Sequence, residues 1–319
     1  MVGERRRDPP RFVRSDPGSD DAQSTSTPRC SRRRLRPTPG ADRPACTTVA
    51  QYSVEHSGVL PDRSGPGRRG GVPPRGREGD GHDVPTEREP GHQCDLRQAN
   101  TDTVCRIVAT TESLEDVWSS ELPAQAGMRW VQPHTTVFTG DVDTACGAAS
   151  SAVGPFYCPA DQDVYIDPAF FDEVLVGRLG APPSGAAQMY VVAHEFGHHL
   201  QTMLGDIRRS QQDPRGPSSA AVRVELQADC YAGLWAHYAT STPGPGGGDP
   251  LLESLTDEDV DEIVRTAEAI GDDHIQSSGG ARVDPGSWTH GSSQMRRQWF
   301  LTGYDQGSIR ACDTFGARV

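Results

Sequence analysis

Residues 190–203 read Y-V-V-A-H-E-F-G-H-H-L-Q-T-M, an apolar run that carries three histidines and a glutamate. Read as a helix, the run sets His194 and His198 at i and i+4, one turn apart on one face. Two imidazoles so placed can hold one Zn²⁺, and Glu195 between them is positioned to act on a metal-bound water. The pattern is H-E-x-x-H. His199 points about 100° around the helix from His198 and cannot join the same tetrahedron. A structural hydrogen-bonding role is assigned to it instead.

The surrounding sequence delimits that helix. Ser184, in P-P-S-G, is an N-cap and Gly205 a stop, so the spacing predicts a helix over 185–204. A loop at 210–217 leads to a second helix, capped by Ser218 or Ser219 and running to about residue 240. It carries V-E-L-Q-A-D-C-Y-A-G, in which Glu225 and Asp229 are again i and i+4. A catalytic zinc site wants three protein ligands and an open position, with the third ligand from another element. Glu225 can supply that carboxylate. Asp229 can accept the distal N–H of a ligand histidine and fix its tautomer.

Beyond the Gly/Pro-rich loop at 242–250, Thr256 and Asp259 form a capping box for a third helix. Its face is Val260, Ile263, Val264, Ala267 and Ile270, and Gly271 ends it. A fourth helix is expected over 292–302. From Cys94 to about residue 180 the reading is short strands and turns, with strand-like runs at 135–139 and 163–167. The fold class is therefore α+β: short N-terminal strands, then a mainly helical half that carries the metal site. Trp235, Trp288 and Trp299 are read as core aromatics. Asp272 and Asp273 read as a solvated loop in preference to a Ca²⁺ site.

Residues 1–93 differ in composition. They hold 13 Pro and 12 Gly, about 27% of positions, which is the range of disordered segments. Their 17 Arg against 13 acids leave +4, whereas the other 226 residues carry −17 of the chain's net −13. An acidic working domain argues against nucleic acid as a partner. The domains are thus a disordered Arg/Pro/Gly-rich tail over 1–93 and a working domain over 94–319. The sequence has no run of 18 apolar residues, the length needed to span a membrane, and no signal peptide is visible. None of the eight cysteines forms C-x-x-C, which disfavours a thiolate zinc site. Cys94, Cys105, Cys146, Cys158, Cys230 and Cys312 are assigned to disulfides, with Cys94/Cys105 and Cys146/Cys158 suitably spaced, free buried thiols being the alternative. Disulfides imply an oxidising compartment.

Several strings, in order, resemble the bacterial neutral zinc metallopeptidases. They are T-A-C-G (144–147), G-P-F-Y-C-P-A-D-Q-D-V-Y-I-D (154–167), H-E-F-G-H-H-L-Q, E-L-Q-A-D-C-Y-A-G-L-W-A, G-D-D-H-I-Q, W-T-H-G-S-S and C-D-T-F, together spanning about 94–316. The resemblance implies a zincin-like fold, one Zn²⁺ per chain and peptidase activity. It also implies an extracytoplasmic location, secreted or membrane-anchored, through an anchor not present in this sequence. Members ordinarily carry an apolar anchor or signal where this chain has its tail, which favours a mis-called start or frame for residues 1–93 over a lost export signal. His274 stands where Arg is expected.

The chemistry that follows has His194, His198 and Glu225 as ligands and Glu195 as general base, taking a proton from water and delivering it to the leaving amine. His290, in W-T-H-G-S-S, is the candidate oxyanion donor, with Tyr190 and Tyr231 as weaker ones. D-V-Y-I-D offers an edge for an extended peptide. The expected partner is a peptide or protein substrate. The alternatives are a zinc hydrolase acting on another bond, and a non-catalytic zinc-containing scaffold of the same fold. Retention of Glu195 disfavours the scaffold.

Overall fold

The computed structural model describes residues 11–12, 94, 96–244 and 247–319. The disordered tail expected over 1–93 lies outside the described residues, apart from a two-residue strand, β1 (Arg11–Phe12). The first described helix, α1 (Thr103–Ala126), replaces the strands and turns expected after Cys94. Its own signals are local. Asp102 accepts the Cys105 N–H at 2.9 Å as N-cap, and Gly127 closes the helix in the left-handed region at φ 65°. Leu114, Val117, Trp118 and Leu122 lie one turn apart and are fully buried. The helix is rich in β-branched residues and holds Pro123, which obscures the period.

Five short strands follow: β2 (Thr135–Val137), β3 (Asp141–Thr144), β4 (Gly147–Ser150), β5 (Phe156–Cys158) and β6 (Asp163–Ile166). β2, β6 and β5 form one sheet in that order, β2 parallel and β5 antiparallel to β6. D-V-Y-I-D is therefore the central strand, with both edges paired, and cannot be the open edge expected of it; β5 and β2 are the edges. Alternation along the strands separates two faces. Tyr157, Val164 and Ile166 enter the main core, while Phe156, Cys158 and Tyr165 form a second, smaller one.

The β3–β4 hairpin covers that second face with Val142 and Ala149. Its tip is tied down twice. Cys146 is disulfide-bonded to Cys158, and Asp161 Oδ2 accepts both the Ala145 N–H and the Tyr165 hydroxyl at 3.0 Å. Replacing Cys146 and Cys158 by Ser should remove about 3 kcal/mol, the closure entropy of a loop this size. Amide exchange should accelerate most within residues 141–158, where the bond closes the hairpin's own opening; acceleration there no greater than in the helices would contradict a separately held hairpin.

The helical half is α2 (Gly185–Leu204), α3 (Ala220–Tyr238), strand β7 (Leu252–Ser254), α4 (Asp257–Ala269), α5 (Asp272–Ser278) and α6 (Ser293–Gln306). β7 pairs antiparallel with β1. The predicted caps are in place: Ser184 for α2, Ser219 for α3, and the Thr256/Asp259 box for α4. α2 is buried nearly all round and is the central helix, against α1 on one side and α3 on the other. α3 in turn lies on α6, where Gly233 and Gly303 allow backbone-to-backbone approach. Trp235, Trp288 and Trp299 are buried as expected. The three disulfides join Cys94–Cys105, Cys146–Cys158 and Cys230–Cys312. The last closes 82 residues and locks the chain's C-terminal turn onto α3.

Candidate metal centre

Two buried helices carry the cluster. α2 supplies His194, Glu195 and His198, and α3 supplies Glu225 and Asp229. They cross at Gly197, where a Cβ would meet Ala228 Cα and O at 3.0 Å. That close approach brings the paired side chains of each helix face to face. His194, His198 and Glu225 offer ligand atoms that all lie within 4.8 Å of one another. His194 Nε2 is 3.2 Å from Glu225 Oε2, and His198 Nε2 is 3.7 Å from Glu225 Oε1.

The hydrogen bonds settle which ring nitrogens face the cluster. His194 Nδ1 donates to Asp229 Oδ1 at 2.9 Å and His198 Nδ1 to Gln201 Oε1 at 2.8 Å. Both Nε2 atoms are thereby turned toward Glu225; in the metal-free chain His194 Nε2 shares a proton with Glu225 Oε2 at 3.2 Å, and a metal would take that proton's place. His198 Nε2 and Glu195 Oε2 are buried with no hydrogen-bond partner. Buried polar atoms without partners are costly, so a ligand is expected at these. Two imidazoles and a carboxylate with an adjacent free carboxylate fit a divalent cation of the zinc type.

Charge is arranged to match. Burial opposes ionisation of Glu225, but His290, His198 and His194 outweigh it and hold the carboxyl well below its usual range. Burial pushes Glu195 up to about 8, with Glu225 adding to the effect against His194. Burial lowers His198 to about 4, so it is a neutral imidazole, the form a metal requires. Burial also acts to lower His194, but its bonds to Asp229 and Glu225 raise it to about 9.

Three supporting residues escaped the sequence reading. Arg296, 2% exposed, sends Nε to Asp229 Oδ2 at 2.9 Å and Nη2 to Asp229 Oδ1 at 2.8 Å. It sits three and four residues before the buried Trp299 and Phe300, the one signal that it faces inward. Gln201, three residues after His198, also donates to Val224 O and Gln227 Oε1. Asp272 accepts the N–H groups of Thr289, His290 and Gly291 at 2.8, 2.7 and 2.9 Å. Asp272 and Asp273 thus correct the solvated-loop reading. Both are in the first turn of α5, and Asp273 accepts the Ser293 N–H at 2.7 Å.

His290 is the leading charge that lowers Glu225 and is 34% exposed, so it stands beside the cluster and reaches solvent. Tyr190 is excluded as an oxyanion donor because its hydroxyl is buried on Asp229 at 2.5 Å. Tyr231 points elsewhere, its ring edge-on to Trp118 at 6.0 Å. His199 has the structural role expected: Nε2 donates to Val131 O at 2.7 Å and Nδ1 accepts from the Tyr157 hydroxyl at 3.2 Å. His274 donates from Nε2 to Leu179 O at 3.0 Å. Among the described residues no helix is long and apolar enough to cross a membrane.

Sequence comparison agrees with the geometry. A family described as putative neutral zinc metallopeptidase matches residues 78–315. An uncharacterized protein of Mycobacterium tuberculosis strain H37Rv, Rv2575, is 47% identical over 219 residues, which are 69% of this chain and 73% of its own length. An uncharacterized protein of Escherichia coli K12, YpfJ, is 43% identical over 218 residues, 67% of this chain and 70% of its own. No solved structure matches.

Proposed function

This chain belongs to the neutral zinc metallopeptidase family, and from that premise we propose that it is a zinc-dependent peptidase of the extracytoplasmic space, with a zincin-like fold. Its ligands are His194, His198 and Glu225, one zinc per chain, and its general base is Glu195. The observation that carries the reading is Glu195 itself. It is not needed as a ligand, yet its Oε2 is buried and unpartnered beside the ligand cluster.

Bound zinc would supply Lewis acidity toward a substrate carbonyl and toward water. Glu195 accepts the proton of the attacking water and returns it to the leaving amine nitrogen. The Tyr157 backbone lies close enough to the Glu195 carboxylate to favour its charged form, so the β5 edge runs beside the base. An extended peptide can add to that edge as a further strand. His290 is the proposed donor to the oxyanion. Asp229 and Gln201 hold the two ligand rings. The three disulfides support an oxidising compartment. A non-catalytic scaffold would have no use for the buried carboxylate of Glu195, whose burial is costly.

The test is zinc content of the oxidised full chain by elemental analysis, wild type beside Glu225→Ala. One zinc per chain is expected in the wild type. Glu225→Ala should weaken binding by more than the roughly 10–100-fold that loss of a ring-orienting partner costs. Folded wild-type protein without zinc, or equal retention in Glu225→Ala, would overturn the ligand set.

A further inference from the structure

The loop that carries His290, residues 288–293, is held by an anchor outside the metal cluster. Asp272 Oδ2 accepts three consecutive backbone N–H groups, of Thr289, His290 and Gly291, at 2.7–2.9 Å. The contact is reciprocal, because the Asp272 N–H donates to Gly291 O at 2.8 Å. The other carboxylate oxygen, Oδ1, lies 3.6 Å from His290 Nδ1, and that nitrogen is also 2.8 Å from Thr289 Oγ1. Nδ1 is thus engaged by the loop and its anchor, and Nε2 is the nitrogen left for substrate.

The same loop is seated on the helix that bears Glu225. Gly291, at φ +93°, lies so close to α3 that a Cβ would meet Val222 Cγ1 at 3.2 Å and Leu226 Cδ2 at 3.3 Å. Val222 and Leu226 are within one turn of Glu225. Trp288 O accepts the Gly216 N–H at 2.9 Å, fixing the loop's other end beside the entry to α3. A helix terminus does not need such an anchor. α6 has its own cap in Ser292, which accepts the Met295 N–H at 3.2 Å.

We propose that Asp272 is a positioning residue of the catalytic site: by gathering the amides of 289–291 and flanking the His290 ring, it delivers His290 Nε2 to the substrate side of the Glu225 helix. The inference rests on the peptidase reading above in assigning His290 to substrate. It predicts that Asp272 acts only through His290. Misplacing a polar group by about 1 Å can cost on the order of 10²-fold in rate. Asp272→Asn keeps the volume but removes the charge: its single amide oxygen is a weaker acceptor for the three N–H groups, and its NH2 group is then left facing His290 Nδ1.

The experiment is a double-mutant cycle on the zinc-loaded full chain with Asp272→Asn, His290→Ala and the combination. Asp272→Asn should lower kcat by about 10²-fold, with KM and zinc content within twofold. The double variant should be no slower than His290→Ala alone. Asp272→Glu should recover part of the rate. Additive losses, or an Asp272→Asn enzyme as fast as wild type, would overturn the proposal. A second readout needs no turnover: the amides of 289–291 should exchange at least tenfold faster in metal-free Asp272→Asn, and the His290 ring resonances should shift. If wild type proves inactive toward peptides, the peptidase reading fails by itself. The anchor is then judged on exchange alone, and unchanged exchange overturns it.

Discussion

Glu195→Gln is expected to lower peptide hydrolysis by about 10²–10⁴-fold, the contribution usual for a general base, while each chain keeps its zinc. The substitution preserves shape and removes only the ability to take a proton. It should not harm the fold either. In the metal-free chain burial raises the Glu195 carboxyl to about 8. A raised carboxyl contributes stability that is fully present below its unfolded value of about 4.5 and is lost as pH rises through 8. Gln carries no such loss, so at pH 8 the metal-free variant should melt no lower than wild type. Parallel assays of turnover, zinc content and melting separate the possibilities. Turnover within tenfold of wild type would remove Glu195 as the base, and lost zinc would make it a ligand instead.

Arg296→Met should be the most destabilising single change in the site's support. Asp229 is fully buried and is ionised because Arg296, ahead of His194, offsets the burial that opposes it. Removing one partner of a buried ion pair leaves an uncompensated charge and costs about 3–5 kcal/mol. For a domain of this size that is a fall in Tm of roughly 6–20 °C. Zinc affinity should fall with it, because Asp229 no longer holds the His194 ring; about 10–100-fold is the usual scale. Adding Asp229→Asn to Arg296→Met tests the cause. The double variant should regain stability, since no lone charge remains, without regaining zinc affinity. A single variant that melts within 2 °C of wild type would show that Arg296 does not hold the network.

Much of this was readable from sequence because it is local. The α2 limits of 185–204 follow from Ser184 and Gly205, and the α4 start from Thr256 and Asp259, where a few neighbouring side chains bind the end amides. α1 was missed although Asp102 and Gly127 bound it, because Thr, Val and Ile dilute the helical pattern and Pro123 interrupts it. The β6 edge was misassigned for a different reason. Which strand is central depends on pairing with β2 and β5, 29 and about seven residues away, and no local pattern encodes that order.

The ligand set divides along the same line. Spacing of four along a helix puts His194 with His198, and Glu225 with Asp229, on single faces whatever surrounds them. The sequence alone therefore carried both halves of the cluster that could hold a metal, and the proposed base. That the halves face one another is tertiary: α2 and α3 meet at Gly197 and Ala228, a contact set by packing across some thirty residues. Arg296, Gln201 and Asp272 lay beyond the sequence reading because a buried ion pair, a ring-orienting amide and a carboxylate gathering three amides are defined by partners distant in the chain or by burial. Only folding removes the water that would otherwise satisfy these groups, and so only the folded structure makes their pairing obligatory.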